Sequence, residues 1–132
     1  MSEAGVLKNL LEEDYDFDRK ADNVARAKGL VVVVPKSNQL QFDLDSEEAK
    51  AEFVRRIGLF FHDSEKYNLV INSSSSGVPH YHATVTFEEF EFDEWKRICL
   101  QSVLGSDPMR EYLNAKRTWY DVSNPTRLFE KP

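Results

Sequence analysis

Two short stretches of this 132-residue chain alternate strictly between apolar and polar residues. Alternation of that kind constrains the fold more than any other pattern present, because side chains along a strand point to opposite faces in turn. In LQFDLD, residues 40–45, Leu40, Phe42 and Leu44 take one face while Gln41, Asp43 and Asp45 take the other. In HYHATVTF, residues 80–87, Tyr81, Ala83, Val85 and Phe87 oppose His80, His82, Thr84 and Thr86. Each segment predicts a half-buried strand with one apolar row for a core and one polar row bearing carboxylates or imidazoles.

The surrounding segments supply partners for these strands. LVVVVP, from Leu30 to Pro35, is a β-branched run closed by proline, and KSNQ after it provides turn residues, so a first strand precedes LQFDLD. SEEAKAEFVRRIGLFFHD places Ala49, Phe53, Ile57 and Phe60 or Phe61 at helical spacing, predicting an amphipathic helix that starts at Asp45 or Ser46. YNLVIN then reads as a strand and SSSSG as a loop before the histidine strand. FDEWKRICLQSVL predicts a helix capped by Asp93, with Trp95, Ile98, Cys99 or Leu100, and Val103 as its apolar face. Gly105 closes that helix, Pro108 suits the first turn of a second one, PMREYLNAKRTWY, and TRLFE supplies a last strand.

From residue 39 the order is β-α-β-β-α-β, the split βαβ plan of RRM and ferredoxin-like domains, with an extra strand in front and a doubled second helix. An α+β fold is expected over residues 28–132: a four-stranded antiparallel sheet, helices on one face and the other face open. Residues 1–27 form an acidic arm, helical or partly disordered, with Val6, Leu7, Leu10 and Leu11 at helical spacing. In this plan LQFDLD and HYHATVTF are central neighbours, which sets the polar rows side by side. The last strand is expected on the far side of LQFDLD, where it brings Glu130 near.

The formal net charge of −6 argues against binding nucleic acid through a broad basic surface, so any polyanion site must be local. One cysteine, Cys99, excludes an internal disulfide and a Cys-rich zinc module, and its apolar-periodic setting predicts a buried thiol. No apolar run approaches the ~18 residues of a membrane span, and the N-terminus lacks the basic flank and apolar stretch of a signal peptide. No membrane partner and a cytoplasmic location are expected. The oligomeric state has no signature in the sequence.

Asp43, Asp45 and Glu130 are hard oxygen donors of the kind that hold Mg²⁺ or Mn²⁺, ions that take one or two carboxylates and complete their shells with water and phosphate oxygens. An imidazole beside them, His82, suits phosphate contact or proton transfer. A plainer role for Asp45 is open as well: with Glu48 three residues on, it has the spacing of a helix cap. His62, at a helix end, meets the helix dipole and is assigned no chemistry.

LQFDLDS followed by SSSSGVPHYHATV resembles the archaeo-eukaryotic primase superfamily, with its acidic D-x-D on a first strand, Ser/Gly-rich lead into a histidine strand, and a final acid. More closely, LQFDLDSEEA, SSSSGVPHYHATV, KRICLQSVLGSDPMRE and PTRLFE together look like a family of short bacteriophage proteins with the same layout, over residues 29–132. The resemblance implies a DNA-replication-type protein with a minimal primase-like core, active or inactive as a polymerase, in the host cytoplasm. It implies Asp43, Asp45 and His82 as catalytic residues and Asp43, Asp45 and Glu130 as ligands of Mg²⁺ or Mn²⁺. Ser75, Ser76, His82 and Arg127 would bind a nucleoside triphosphate or nucleic acid, and Arg110, Lys116, Arg117 and Arg127 would guide a strand. Full primases carry further template-binding and primer-binding segments that this length leaves out.

A second resemblance is to rolling-circle replication initiators, so-called HUH endonucleases, whose paired histidines bind a metal while a helical tyrosine attacks DNA. VPHYHATV fits with His80 and His82, and YLNAK offers Tyr112 and Lys116. A non-catalytic binding module on the same sheet is a third reading, since a fold does not dictate a function.

Overall fold

The computed structural model describes residues 23–61, 66–74, 79–122 and 124–130. Most of the acidic arm, His62, Ser75 and Ser76 lie outside the described residues. The chain is a mixed α+β fold of the split βαβ type, running β1 (Val31–Val33), β2 (Gln39–Leu44), α1 (Glu47–Phe60), β3 (Tyr67–Ser73), β4 (Tyr81–Phe87), α2 (Glu94–Val103), α3 (Pro108–Trp119) and β5 (Leu128–Glu130). Residues 23–27 add a helical turn before β1.

Alternation in β2 and β4 produces the expected pairing. The main sheet is antiparallel in the order β2-β4-β3, with Phe42 opposite Ala83 and Asp43 directly opposite His82. Leu40, Phe42, Leu44, Ala83, Val85 and Phe87 are fully buried on one face. Helix α1 lies across them, its Phe53 ring 4.5 Å from that of Phe42, and Phe61 just beyond its end packs 4.7 Å from Phe87. Phe60, the alternative inward residue, is exposed. The cap of α1 is Ser46, whose hydroxyl accepts from the Ala49 amide. That settles the role left open for Asp45: the helix is capped without it.

The position of the last strand differs from the expectation. β5 pairs antiparallel with β1, Val31 opposite Glu130 and Val33 opposite Leu128, and the two form a separate ribbon. The far edge of β2 is taken by the α2–α3 pair instead. The Gln41 amide donates to Gln101 Oε1 at 2.8 Å and its carbonyl accepts from Arg110 Nη1 at 2.7 Å. The Asp43 amide donates to Ser106 Oγ at 3.1 Å, its carbonyl accepts from the Asp107 amide at 2.8 Å, and the Gln39 carbonyl accepts from Arg97 Nε at 3.0 Å. These are the outward groups of alternate residues, the ones a neighbouring strand would otherwise satisfy. With that edge closed, β5 finds its partner in β1.

The same edge explains why α2 is turned from its expected orientation and which side of α3 is buried. An open strand edge demands hydrogen bonds rather than apolar contact, and an unpaired buried backbone group costs about 1–3 kcal/mol. The helices accordingly bury polar stripes: Arg97 and Gln101 on α2, and Arg110, Glu111, Asn114 and Arg117 on α3. Glu111 accepts from Gln101, Asn114 and Arg110, so the network closes on itself. Residues expected to face inward are outside: Trp95 and Val103 are exposed, and so is Cys99, which corrects the expectation of a buried thiol. Trp95 and Trp119 meet edge to face on the outer surface, ring centres 6.4 Å apart. Leu100 and Leu104 reach over the edge into the core.

Candidate functional site

The second face of the main sheet carries the polar rows, and it is not open. The β1–β5 ribbon lies over it: Gln41 Nε2 donates to the Val33 carbonyl at 3.2 Å, and Glu130 Oε1 stands 3.7 Å from His82 Nδ1. Gln41 is 1% exposed as a result. What remains of the polar face is a cleft of about 470 Å³ bounded by the ends of β2 and β4, the inner face of α3 and the start of β5.

The two strands place four titratable groups in this cleft. Alternation points Asp43, Asp45, His80 and His82 to one side, and antiparallel register makes Asp43 and His82 direct partners, Nε2 to Oδ1 3.9 Å. His80 Nδ1 stands 3.5 Å from Asp45 Oδ1 at the rim, where both side chains are well exposed. Ser74 forms part of the wall, its amide donating to the His80 carbonyl.

Helix α3 builds the opposite wall. Its N-cap, Asp107, accepts from the Arg110 amide and adds a third carboxylate. Arg110, Arg117 and Arg127 bring three guanidinium groups. Arg110 is pinned by the Gln41 carbonyl, Glu111 and, at 3.3 Å, the Arg127 carbonyl. Arg117 donates to the Asn114 and Pro125 oxygens. Arg110 and Arg117 are buried in the wall of the cleft rather than solvated on a helix surface, because α3 turns its polar stripe inward. Lys116 lies on another face of α3, its Nζ 5.8 Å from the centre of the Tyr112 ring.

The electrostatics follow from burial beside opposed charges. Asp43 is pushed up to about 6, first by burial and then by the neighbouring Asp45 carboxylate, with Arg110 pulling the other way. His82, whose side chain is 11% exposed, is pushed down to about 4 by burial and by the Arg110 charge. At neutral pH His82 is therefore an uncharged imidazole, one ring nitrogen donating and the other accepting. Neither of its carboxylate neighbours is within hydrogen-bond distance, so the ring is not locked to either.

Among the described residues, no three His, Cys, Asp or Glu side chains converge as a ready-made metal cage. Glu130 stands by His82, not gathered with Asp43 and Asp45 as a third ligand. The residues nonetheless fit Mg²⁺ or Mn²⁺ in the way those ions are held beside phosphates, by one or two carboxylates with the remaining positions left to water and substrate. Asp43 is raised first by burial and then by the Asp45 charge, and a cation beside it would favour its ionised form.

Tyr112 is not brought to the histidines. It faces a shallow groove between α2 and α3 with Ile98, Ser102 and Ala115, away from the cleft. Met109 was legible only as part of the helix PMREYLNAKRTWY, and Asp107 carried no signal of its own. Gln101 on α2 and Ser106 in the α2–α3 connection carried no signal, since a polar residue on a helix or in a loop reads as solvated until the strand edge it serves is known. No helix among the described residues is long and apolar enough to cross a membrane. No family model matches the chain, and no curated protein or solved structure matches it either.

Proposed function

We propose that the protein binds a nucleoside triphosphate with a divalent cation in this cleft, as a primase-like core acting in nucleotide or nucleic-acid transactions. The observation that carries the reading is a single cavity lined both by the carboxylates Asp43, Asp45 and Asp107 and by the guanidiniums of Arg110, Arg117 and Arg127. A cleft lined by one sign of charge selects the opposite sign. One lined by both suits a ligand that is itself a cation-bridged anion.

Asp43 and Asp45 would hold the ion, Mg²⁺ or Mn²⁺, which when bound supplies charge neutralisation at the phosphates. Arg110 keeps a fixed positive charge on the cleft wall, because its buried guanidinium is tied to backbone carbonyls and needs no reorganisation to meet an anion. Neutral His82 offers an N–H to a phosphate oxygen, and an anion settling beside it raises its proton affinity. Asp107 holds the Asp43 backbone through its amide, which orients the metal-binding strand.

Calorimetry with Mn²⁺ and ATP on the wild type and on Asp43→Asn tests the reading. Saturable heat in the wild type, reduced at least tenfold in affinity by the variant, is expected. Tyr112→Phe, a change outside the cleft, leaves that binding unaltered. Absence of heat in the wild type refutes the reading and leaves the non-catalytic module on the same sheet.

A further inference from the structure

The cleft has a third kind of lining that charge does not explain. Met109 and Leu113 sit one turn apart on α3, and Phe129 on β5 also lines the same cavity. Met109 is 63% exposed although a cavity rich in charge lies beside it. The α3 positions 109, 113 and 117 share one helical face. That face therefore runs from apolar side chains near the Asp107 end to the Arg117 guanidinium, along about 15 Å of helix from 107 to 117 at 1.5 Å per residue. Apolar groups in such a place gain nothing from a small inorganic anion, since phosphate or pyrophosphate presents only oxygen.

We propose that Met109, Leu113 and Phe129 form a nucleobase-binding wall, so that the cleft distinguishes a nucleotide from the phosphate chain alone. The inference rests on the nucleotide reading of the same cleft and adds the group that selects the ligand. A nucleobase is a flat ring with an apolar face joined to an anionic chain, and the cleft places an aromatic ring and two aliphatic side chains within one cavity alongside the phosphate-binding cations. Stacking on an aromatic ring is tolerant of base identity, so the wall favours nucleotides as a class. Met109 adapts its flexible thioether to rings of different size.

Calorimetry in Mn²⁺ compares ATP with tripolyphosphate on the wild type, Met109→Ala and Leu113→Ala. The wild type is expected to bind ATP about tenfold more tightly than tripolyphosphate, the scale of one stacked base. Each substitution is expected to lower ATP affinity by severalfold while tripolyphosphate affinity stays within twofold. Equal wild-type affinity for the two ligands overturns the wall but leaves the metal–phosphate reading standing. So does a parallel loss of both ligands in the variants. Binding of neither ligand to the wild type overturns both readings together. Met109 projects into solvent, so its truncation does not threaten the fold, and the wild-type comparison needs no variant at all.

Discussion

Replacing Asp43 with asparagine should make the protein more stable at pH 8 and leave it unchanged near pH 4. The folded protein holds the Asp43 proton up to about 6, against an ordinary value of 3.8. Above pH 6 the fold therefore carries a carboxylate that it disfavours relative to the unfolded chain, and this cost fades as pH falls through 6 towards 3.8. At about 1.4 kcal/mol per pH unit the full cost is about 3 kcal/mol. The side chain is 29% exposed, so water relaxes part of it and about 1–3 kcal/mol is the working figure. Asparagine keeps the shape and removes the charge. The backbone amide and carbonyl of residue 43, which bond to Ser106 and Asp107, are untouched.

His82 contributes with the opposite sign. Its folded value of about 4 lies below the ordinary 6.5, so the stability it lends is present above 6.5 and is lost as pH falls towards 4. In the wild type the two groups offset each other across that window, and Asp43 is not among the causes of the His82 shift. The asparagine variant should thus show a steeper loss of stability between pH 6.5 and 4 than the wild type. Urea unfolding at half-unit pH steps measures both curves. A variant that is no more stable at pH 8, or a difference that does not shrink between pH 8 and 4, refutes the claim that Asp43 is held by burial beside Asp45.

Three further outcomes test the packing. Gln101→Leu removes the acceptor for the Gln41 amide and a donor to buried Glu111, and should cost about 2–4 kcal/mol in urea unfolding despite the gain in hydrophobicity; a neutral result refutes the edge-capping role. Ser46→Ala should cost about 1 kcal/mol through loss of the α1 cap, whereas Asp45→Ala should leave that helix end intact. Cys99 should react with an aromatic disulfide reagent in the native protein at a rate close to that of the unfolded chain, and protection of the thiol refutes the outward orientation of that face of α2.

Alternation carried the local information well. LQFDLD and HYHATVTF specified their own inward and outward rows, and with the β-α-β-β-α-β order this was enough to make β2 and β4 neighbours and to set Asp43 beside His82. Period and caps placed α1, α2 and α3, because Phe53 and Ile57, Asp93, Gly105 and Pro108 act through local geometry that the chain states residue by residue.

Only the tertiary structure decided what covers the strand edge and the polar face. Apolar periodicity on α2 pointed Trp95 and Val103 inward, but the surface waiting there was an unpaired backbone edge, and hydrogen-bond demand outweighed apolar burial to bring in Arg97 and Gln101. That choice displaced β5 to β1, folded the ribbon over Gln41, and turned Arg110 and Arg117 from surface charges into walls of a cleft facing Asp43 and His82. The sequence by itself determined which strand residues share the polar row, since parity is local. The opposing wall depended on satisfying backbone groups some sixty to seventy residues away, a constraint that no local pattern encodes.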